Sequence, residues 1–565
     1  MIRPADLAVL AVSLAALVAF GLWRARHTRD LPEFLVAGRS LPWPMVALSV
    51  MATQASAVTF MATPGQGYVG GLSFVQFYFG LPVAMVVLCA TLVPLYQRLQ
   101  IHTAYEYLEQ RFDGKTRTLA AALFLVQRGL AAGITLYAPA LVLSVMLGWD
   151  TGRTCMLLGA LVVGTIVVGG SKAVAHAHAL QFCIIMGAMV VAFVLVLREL
   201  PEGLGLGGAL AVAGTSGKMQ ALDPHFDPAS RYNLWAGLLG GFFLQLSYFG
   251  TDQSQVGRIL TAGSARESRL GLLFNGIFKV PMQFFILLLG VLVFVAYQFE
   301  PAPVFFDAAG AAKAAAGPYA VQWRAAEADW RSASADRARA LLAERAAKQA
   351  GDEAAEVSAR GRAHAAAATA SAARTRALAV LKSTDPAANT NDTNHIFLHY
   401  VLTHLPVGVV GLVLAAIFAA AMNSTMSELN ALASTTVVDV VKRLPWRLDD
   451  RALLGWSRGA TLFWTVFAVG FAQFAGRLGS LVEAVNIMGS LFYGTILGIF
   501  ATGFLVKRAG GHAVFAAALV GEAVVLLCWR FTPLSFLWWN LIGCVCTVGL
   551  AAAMARTFPA DARPA

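Results

Sequence analysis

The sequence predicts an all-α protein that crosses a lipid bilayer about thirteen times. Of its 565 residues, 58% are hydrophobic and only 13% are charged, and the mean hydropathy is +0.66. Soluble domains carry about 25% charged residues, so lipid must surround most of this chain. No charged residue occurs between Arg39 and Arg98, and this run is long enough for two spans because each span needs about 20 residues.

The same criterion, applied along the chain, predicts thirteen helices. Their approximate extents are 6–24, 42–69, 74–98, 118–147, 154–171, 173–198, 233–250, 270–298, 405–441, 453–475, 480–506, 511–530 and 534–556. The glycine-rich stretch 65–71 is the expected divide between the second and third helices. The first helix is interpreted as a span, since no signal-peptide cleavage site precedes the basic residues that follow it.

The distribution of basic residues predicts the orientation. Lys and Arg concentrate in the short loops that are cytoplasmic if the N-terminus lies outside and the C-terminus inside. The net charge of +11 is therefore a topology signal, and a nucleic-acid partner is not expected because no basic soluble domain is present. We expect a multi-pass protein of the cell inner (plasma) membrane, with the lipid bilayer around it and the monomer as functional unit.

One long outer segment, 301–394, differs from the rest because it is Ala-rich and carries charges of both signs. Residues 321–349 and 352–383 are predicted to form an antiparallel hairpin of two charged helices. A disordered insert is the alternative. The six cysteines lie in apolar runs, so they are interpreted as small core residues and not as disulfides or metal ligands.

Charged or titratable side chains inside predicted spans are candidates for function, because charge is costly in lipid. They are Arg128, His176, His178, Lys279, Glu428, Glu483 and Glu522. For each of them, a structural role as a buried polar partner or an interface-reaching end group is the alternative.

Two polar segments within spans are more informative than single charges. The stretch 52–60 is small and hydroxyl-rich and runs into Pro64-Gly65, which favours an interrupted helix with free carbonyls. The stretch 419–430 gathers Asn423, Ser424, Ser427 and Asn430 within two turns. Oxygen ligands of this kind suit a hard cation such as Na⁺. A cation-coupled transporter is the leading interpretation, with a channel or a structural polar seam as alternatives.

Four short segments, in order along the chain, resemble motifs of one family. They are Phe34–Pro42, Gly169–Val174, Tyr248–Gln253 followed by Arg258, and Ala420–Asp439. On these segments the chain resembles the solute:sodium symporter family over most of its length outside the 301–394 insert.

The resemblance implies the leucine-transporter fold, in which two five-helix repeats have inverted topology, here with one extra helix before them and two after. It divides the chain into 1–41, a first repeat at 42–198 with its broken helix at 42–69, an outer loop at 199–232, a second repeat at 233–506 interrupted by 301–394, and 507–565. The resemblance also implies Na⁺ as the coupling ion.

The family's sodium site maps onto the backbone carbonyls of Ala52, Ala55 and Ala420 and the side chains of Asn423 and Ser424, with Ser427 in reserve. Asn423 departs from the serine usual in the family, although an amide oxygen also coordinates Na⁺. His178 stands where many members have an aspartate, which argues against a second sodium and keeps proton coupling open.

The resemblance implies a substrate pocket near the middle of the membrane. Its expected residues are Gln54, Ser56, Thr59, Gln245, Tyr248, Lys279, Glu483 and Asn486. Arg128 is a candidate to pair with a solute carboxylate. The alternatives are that it snorkels inward or pairs with an internal acid. Sugar-type members carry Glu-Gln where this chain has Val58-Thr59, which weighs against a sugar. The stretch Gln54–Val58 is closer to members that handle monocarboxylates, vitamins and small anions, so a monocarboxylate or similar small anion is favoured.

The predicted function is sodium-coupled import of a small organic solute by alternating access. The alternatives are a proton-coupled transporter of the same fold, an amino-acid or sugar symporter, and a transporter-like solute sensor, which the short tail after the last helix disfavours. An enzyme is not expected, because no HExxH or GxSxG motif occurs.

Overall fold

The computed structural model describes residues 3–25, 39–54, 56–445 and 449–556, and within them the side chains of 14, 17–25, 57, 146, 164–180, 423 and 450 lie outside the description. In this part of the chain every regular element is a helix. An isolated parallel bridge between Leu41 and Ala262 is the one β-type contact there. The all-α prediction is confirmed.

The α-helices are numbered in chain order. They are α1 Pro4–Ala25, α2 Trp43–Gln54, α3 Ala57–Gly70, α4 Leu81–Ala90, α5 Leu92–Leu99, α6 Glu106–Arg111, α7 Gly114–Leu147, α8 Thr151–Glu199, α9 Leu206–Thr215, α10 Gly241–Thr251, α11 Gln253–Ile259, α12 Ala265–Phe299, α13 Ala308–Ala316, α14 Ala320–Ala350, α15 Glu353–Thr384, α16 Thr393–His404, α17 Val409–Thr435, α18 Asp450–Ala475, α19 Leu481–Leu505, α20 Gly511–Phe531 and α21 Phe536–Met554.

Most predicted spans coincide with these helices to within a few residues. One difference is α8. It is a single helix, whereas the sequence predicts two helices divided near Lys172. Glycine lowers helix propensity by about 1 kcal/mol per residue but does not by itself end a helix, so Gly169-Gly170 was a weak signal for a boundary. Eight candidate spans among the described residues are long and apolar enough to cross a membrane, and the count of thirteen stays a prediction.

The boundary between the second and third predicted spans lies at Gly71. This residue has φ +68°, in the left-handed region that favours glycine, and it ends α3. Gly65 and Gly67, expected at the divide, remain helical. A Cβ on Gly67 would lie 2.3 Å from the carbonyl oxygen of Leu287, so these glycines serve close packing of α3 against its neighbours.

The described helices pack as one bundle. The α12 helix lies along α2 and α3, and α17 lies between α7 and α8. The Asp6 side chain on α1 accepts hydrogen bonds from the backbone N–H groups of Gly408, at 2.6 Å, and Gly411, at 3.1 Å. These bonds satisfy N–H groups at the start of α17 that have no partner within the helix, so α1 is part of the bundle, as expected of a span.

The cysteines agree in part with their interpretation as core residues. No disulfide joins any of the six, and Cys89, Cys155 and Cys544 are buried. Cys183 is exposed on the side of α8, where lipid and not a protein core would surround it.

The predicted hairpin in the 301–394 insert is confirmed by α14 and α15, which pack along each other. The turn uses Gly351 at φ +73°. The indole N–H of Trp330 donates to the carbonyl of Ala302, just after the end of α12, at 2.7 Å, and Arg337 of α14 anchors the hairpin to the bundle by donating to the carbonyl of Tyr297 on α12 at 3.3 Å. Arg374 of α15 forms an ion pair with Asp392 at 2.7 Å. The insert is therefore an ordered part of the fold.

Replacing Trp330 tests this anchoring. We expect Trp330→Ala to destabilise the protein by about 3–5 kcal/mol, because it removes a large buried side chain, and Trp330→Phe to cost about 1 kcal/mol for the lost hydrogen bond. Thermal unfolding of the purified protein measures both changes. Val321→Ala on the same helix is the control, since Val321 is 77% exposed, and equal effects of the Val321 and Trp330 variants would contradict the docking.

Candidate functional site

The first broken helix lies between α2 and α3. Ser56 has extended backbone torsions, φ −74° and ψ 170°, and α3 starts after it. The hydroxyl of Thr59 donates to the carbonyl of Gln54 at 3.3 Å, which gives a partner to one carbonyl freed by the break. Ala55 lies outside the described residues. The interruption predicted from the composition of 52–60 is therefore present, and it exposes backbone oxygen inside the bundle.

The α17 helix meets this break. The hydroxyl of Ser424 donates to the carbonyl of Thr53 at 3.5 Å, while Ala52 and Ala420 are both buried. The side chain of Asn423 lies outside the described set. Ser427 is engaged elsewhere, because its hydroxyl accepts a hydrogen bond from Arg258 at 2.7 Å. Oxygen from α2 and oxygen from α17 thus face each other, which is the arrangement that a hard cation needs.

The second broken helix bends at Asp252, between α10 and α11. One oxygen of this carboxylate accepts from the N–H and the hydroxyl of Ser254, at 2.9 and 2.7 Å, and so caps α11. The other oxygen pairs with Arg128 and accepts a hydrogen bond from the hydroxyl of Tyr493 at 3.0 Å. The break therefore brings a fully buried carboxylate into the centre of the bundle.

Arg128 on α7 is the hub of a buried polar cluster. Besides Asp252, it pairs with Glu428 of α17 at 3.1 Å and donates to the Tyr493 hydroxyl at 2.8 Å. Its guanidinium carbon lies 5.6 Å from the centroid of the Tyr248 ring. The internal-acid alternative for Arg128 is thus realised, whereas pairing with a solute carboxylate stays a prediction. The guanidinium is only 3% exposed, and its Nε has no partner among the described groups.

The formal charges of this cluster do not balance. One guanidinium faces two carboxylates, Asp252 and Glu428. Glu428 accepts on one oxygen from Thr135 at 3.3 Å, while its second oxygen has no donor in the described part of the chain. If both acids are ionised, the cluster carries one net negative charge in a medium of low dielectric constant, where an additional cation is strongly favoured.

A small cavity of about 80 Å³ lies against this cluster. Seven of the predicted substrate residues line it: Gln54, Ser56, Thr59, Arg128, Gln245, Tyr248 and Asn486. They come from α2, α3, α7, α10 and α19 and the first break. Two broken helices and the helices beside them therefore share one polar chamber.

Two predicted substrate residues lie away from the lining. Lys279 on α12 is fully buried, with its ammonium nitrogen 5.4 Å from the centroid of the Tyr78 ring and without a hydrogen bond among the described residues. Glu483, at the start of α19, pairs with Arg231 at 2.6 Å and accepts from the Tyr232 hydroxyl at 2.7 Å. Glu483 therefore ties α19 to the segment before α10.

Sequence reasoning did not assign to the pocket four polar residues that line or support it: Thr135, Asp252, Glu428 and Tyr493. The sequence does single out Glu428 as a charge inside a predicted span, and Asp252 lies within the Tyr248–Gln253 segment that resembles a family motif. Nothing in the local sequence distinguishes Tyr493 from other tyrosines in apolar runs. Its role comes from the position of α19 beside the second break.

Hydrogen bonds join the bundle at the end of the chamber toward the insert. Gln66 of α3 donates to the Ser480 hydroxyl at 2.9 Å. Asn394 of α16 donates to the carbonyl of Gly479 at 2.9 Å, and the Asn389 side chain donates to the carbonyl of Gly476 at the same distance. The end of the insert is thus fastened to the start of α19.

An ion-pair network joins the opposite end. Arg117 donates to Asp439 at 2.7 Å and to Glu109 at 2.7 Å, and Arg443 also reaches Glu109, at 2.5 Å. Burial raises the pKa of Glu109, but the two arginines outweigh it, so the pKa lies below its usual range. This carboxylate holds α6, α7 and the segment after α17 together.

The first part of the chain matches a known family. The family model described as "Sodium:solute symporter family" matches residues 34–320, about half of the chain. The chain belongs to the sodium:solute symporter family. Members of this family are transporters and not enzymes, and they couple the transport of solutes to sodium.

Curated relatives in this symporter family are similar over most of the chain. Sodium-coupled monocarboxylate transporter 2 of Bos taurus is 25% identical over 521 residues, covering 91% of this chain and 70% of the relative. The sodium/iodide cotransporter of Homo sapiens is 25% identical over 528 residues, covering 92% and 69%.

The fold agrees with that of a solved symporter. The structure of a Na⁺-coupled sialic acid symporter in a substrate-bound outward-open state matches with a TM-score of 0.76 at 21% identity, over 99% of both chains. At this identity the match shows the fold alone. The leucine-transporter-like architecture that the sequence resemblance implied is thereby confirmed for this symporter.

The charge balance of the Arg128 cluster can be tested through the stability of variants. We expect Arg128→Gln to destabilise the protein by about 3–5 kcal/mol, because two buried carboxylates lose their cation. Adding Glu428→Gln removes one of these charges and restores part of the loss, which is a non-additive result. Thermal unfolding of both single variants and the double variant measures the coupling, and strictly additive effects would rule out the proposed charge balance.

Proposed function

We propose that this symporter imports a small organic anion, of the monocarboxylate class, together with Na⁺ by alternating access. The observation that carries the proposal is the polar chamber between the two broken helices, with seven predicted residues on its wall and an excess of negative charge beside it. The chain would work as a monomer in the plasma membrane, with its N-terminus outside.

The proposed sodium site uses the carbonyls of Ala52, Ala55 and Ala420 with the side chains of Asn423 and Ser424. Its support is the contact between the Ser424 hydroxyl and the carbonyl of Thr53 at the end of α2. Sodium in this position would bridge the first break and α17. Because these two elements must stay together to hold the ion, occupancy would favour the conformation in which the chamber is formed.

The proposed solute site would bind its ligand through the hydroxyl of Tyr248 and the Nε–H of the Arg128 guanidinium. The Tyr248 hydroxyl accepts from Gln255 at 2.6 Å, which leaves its own proton free to donate into the chamber. The Nε of Arg128 is likewise free among the described groups. A carboxylate accepts both kinds of bond well. The cavity is far below the roughly 300–1,000 Å³ of pockets for drug-sized ligands, so a solute with few atoms fits best.

Charge gives a reason for coupling the two ligands. An anion that enters the chamber approaches a cluster with two carboxylates and one guanidinium. The repulsion is relieved when a cation binds nearby, so each ligand raises the affinity for the other. The relatives named for monocarboxylates and for iodide support a small anion as the solute.

Sodium coupling is tested by uptake into proteoliposomes with and without an inward Na⁺ gradient. We expect Ser424→Ala to weaken the apparent sodium affinity by at least about tenfold, as loss of a supporting group at an ion site does. Ser434→Ala on the same helix is the matched control, because the Ser434 hydroxyl donates within its own helix to the carbonyl of Ala431, at 3.0 Å. Wild-type uptake that is as fast without sodium as with it would refute the coupling, and an unchanged sodium affinity in Ser424→Ala would refute the site.

The solute class is tested by competition at high Na⁺. Short monocarboxylates are expected to inhibit uptake and stabilise the protein against heat, while their amides, amino acids and sugars are not. Tyr248→Phe should raise KM by about ten- to a hundredfold, since a hydrogen bond to a charged group is worth about 1.5–3 kcal/mol. Tyr107→Phe, whose ring packs against Phe500 and Phe504, is the control. Preferential binding of the amides would contradict the anion proposal.

Proton coupling is the second candidate, and the unpaired oxygen of Glu428 favours it. A carboxylate in that position can take up a proton in place of a cation. Uptake that follows a pH gradient in sodium-free vesicles, and that Glu428→Gln abolishes, would establish this alternative. The side chain of His178, the other proton candidate, lies outside the described set.

A further inference from the structure

A second carboxylate lies outside the chamber lining, in the last helices of the chain. Glu522 is in the middle of α20 and is only 9% exposed. Neither of its oxygens has a hydrogen-bond partner in the described part of the chain. An ionised carboxylate left alone within a membrane span is too costly to persist. Something must therefore neutralise it.

Two threonine hydroxyls lie around this carboxylate. Thr495 of α19 is beside the Glu522 side chain, and Thr547 of α21 faces the same junction. A Cβ built on Gly521, the residue before Glu522, would lie 2.3 Å from the Thr547 hydroxyl oxygen and 3.5 Å from the carbonyl oxygen of Gly543. Oxygen atoms from α19 and α21 thus lie around the turn of α20 that carries Gly521 and Glu522.

The two hydroxyls are unusual because neither makes the common bond to a carbonyl of its own helix. Buried threonines within helices commonly donate to a carbonyl one turn earlier, as Thr502 does to Gly498 at 2.7 Å and Thr465 does to Thr461 at 2.8 Å. Thr495 and Thr547 are fully buried and make no such bond to a described carbonyl, and Thr495 lies against the Glu522 carboxylate instead. Their oxygens are free to serve as ligands.

We propose that Glu522, Thr495 and Thr547 form a further sodium site at the junction of α19, α20 and α21, separate from the site between α2 and α17. One carboxylate neutralises one monovalent cation, and hydroxyl, carbonyl and carboxylate oxygens are the ligands of a hard ion. A divalent metal fits poorly, because no group of three acidic, histidine or cysteine side chains gathers in the described residues.

The position of this site links it to the chamber through one helix. Thr495 and Tyr493 are two residues apart on α19, so they point to different sides of it. Tyr493 contacts Asp252 and Arg128 in the chamber, while Thr495 contacts the Glu522 junction. A bound ion would fix α19 against α20 and α21 and thereby hold Tyr493 in place.

The test measures sodium binding through stability, so it does not depend on the solute. The purified full chain is heated in NaCl and in choline chloride. In the Ser424→Ala background, which disables the proposed site at α17, we expect sodium still to raise the unfolding temperature. Adding Glu522→Gln is expected to abolish that rise. Because glutamine has nearly the shape of a protonated glutamate, this variant retains the packing.

The outcomes discriminate between an ion and a proton. A sodium-dependent rise that is absent in Ser424→Ala, or that persists unchanged after Glu522→Gln, overturns the proposal. The second case is the result expected if Glu522 simply holds a proton. If the α17 site does not bind sodium, wild type and Ser424→Ala respond equally, and loss of both responses on Glu522→Gln still supports the junction site.

Threonine variants keep the proposal testable if Glu522→Gln fails to fold. Thr495→Val and Thr547→Val preserve shape and remove one oxygen each, and we expect each to weaken the sodium response by about tenfold. Thr502→Val is the matched control on α19, because the Thr502 hydroxyl already bonds within its own helix. A sodium response identical in all three valine variants would refute the site.

Discussion

The pairing of Arg128 with Asp252 and Glu428 is the interaction on which the rest of the structure depends. Each of the three charges would be prohibitively costly alone in lipid, and together they fix α7, the second break and α17 relative to one another. Asp252 serves twice, because the same carboxylate caps α11 and receives Arg128. The bend that interrupts the helix and the charge that neutralises Arg128 are therefore one feature, and neither can change without the other.

Both broken helices bring polar groups to the middle of the bundle without exposing them to lipid. Backbone oxygen at the first break meets Ser424, and the carboxylate at the second break meets Arg128 and Tyr493. Interrupted helices are tolerated in a membrane only where protein or a polar cavity receives the freed groups. The chamber is thus a consequence of how two interruptions are satisfied, and its excess negative charge gives a physical reason for a cation to accompany an anionic solute.

Contacts at both ends of the chamber bear on alternating access. Toward the insert, α16 and its preceding loop bind the turn before α19, and Gln66 reaches Ser480. At the other end, Arg117 forms ion pairs with Glu109 and Asp439, and Arg443 forms an ion pair with Glu109. A transporter must open each set in turn, and both consist of hydrogen bonds and ion pairs, whose groups water can solvate once the set opens. The bundle between them is held by buried apolar packing, which resists such exchange.

The sequence alone determined the all-α membrane class, most helix positions, the insert hairpin and the first helix break, and through the family resemblance also seven of the cavity-lining residues. It could do so because lipid forces long apolar runs to be helices, and because polar or glycine-rich interruptions in such runs are rare enough to be informative. Only the tertiary structure decided which groups meet. In the folded protein Arg128 pairs with two internal acids and with Tyr493. Glu483 pairs with Arg231, and Lys279 lies against the Tyr78 ring. The two helices that the sequence predicts near Lys172 are one helix, α8. The residues that meet in these pairs lie a hundred or more positions apart in the chain. Which of them meet depends on how the helices pack, and the local sequence does not show this packing.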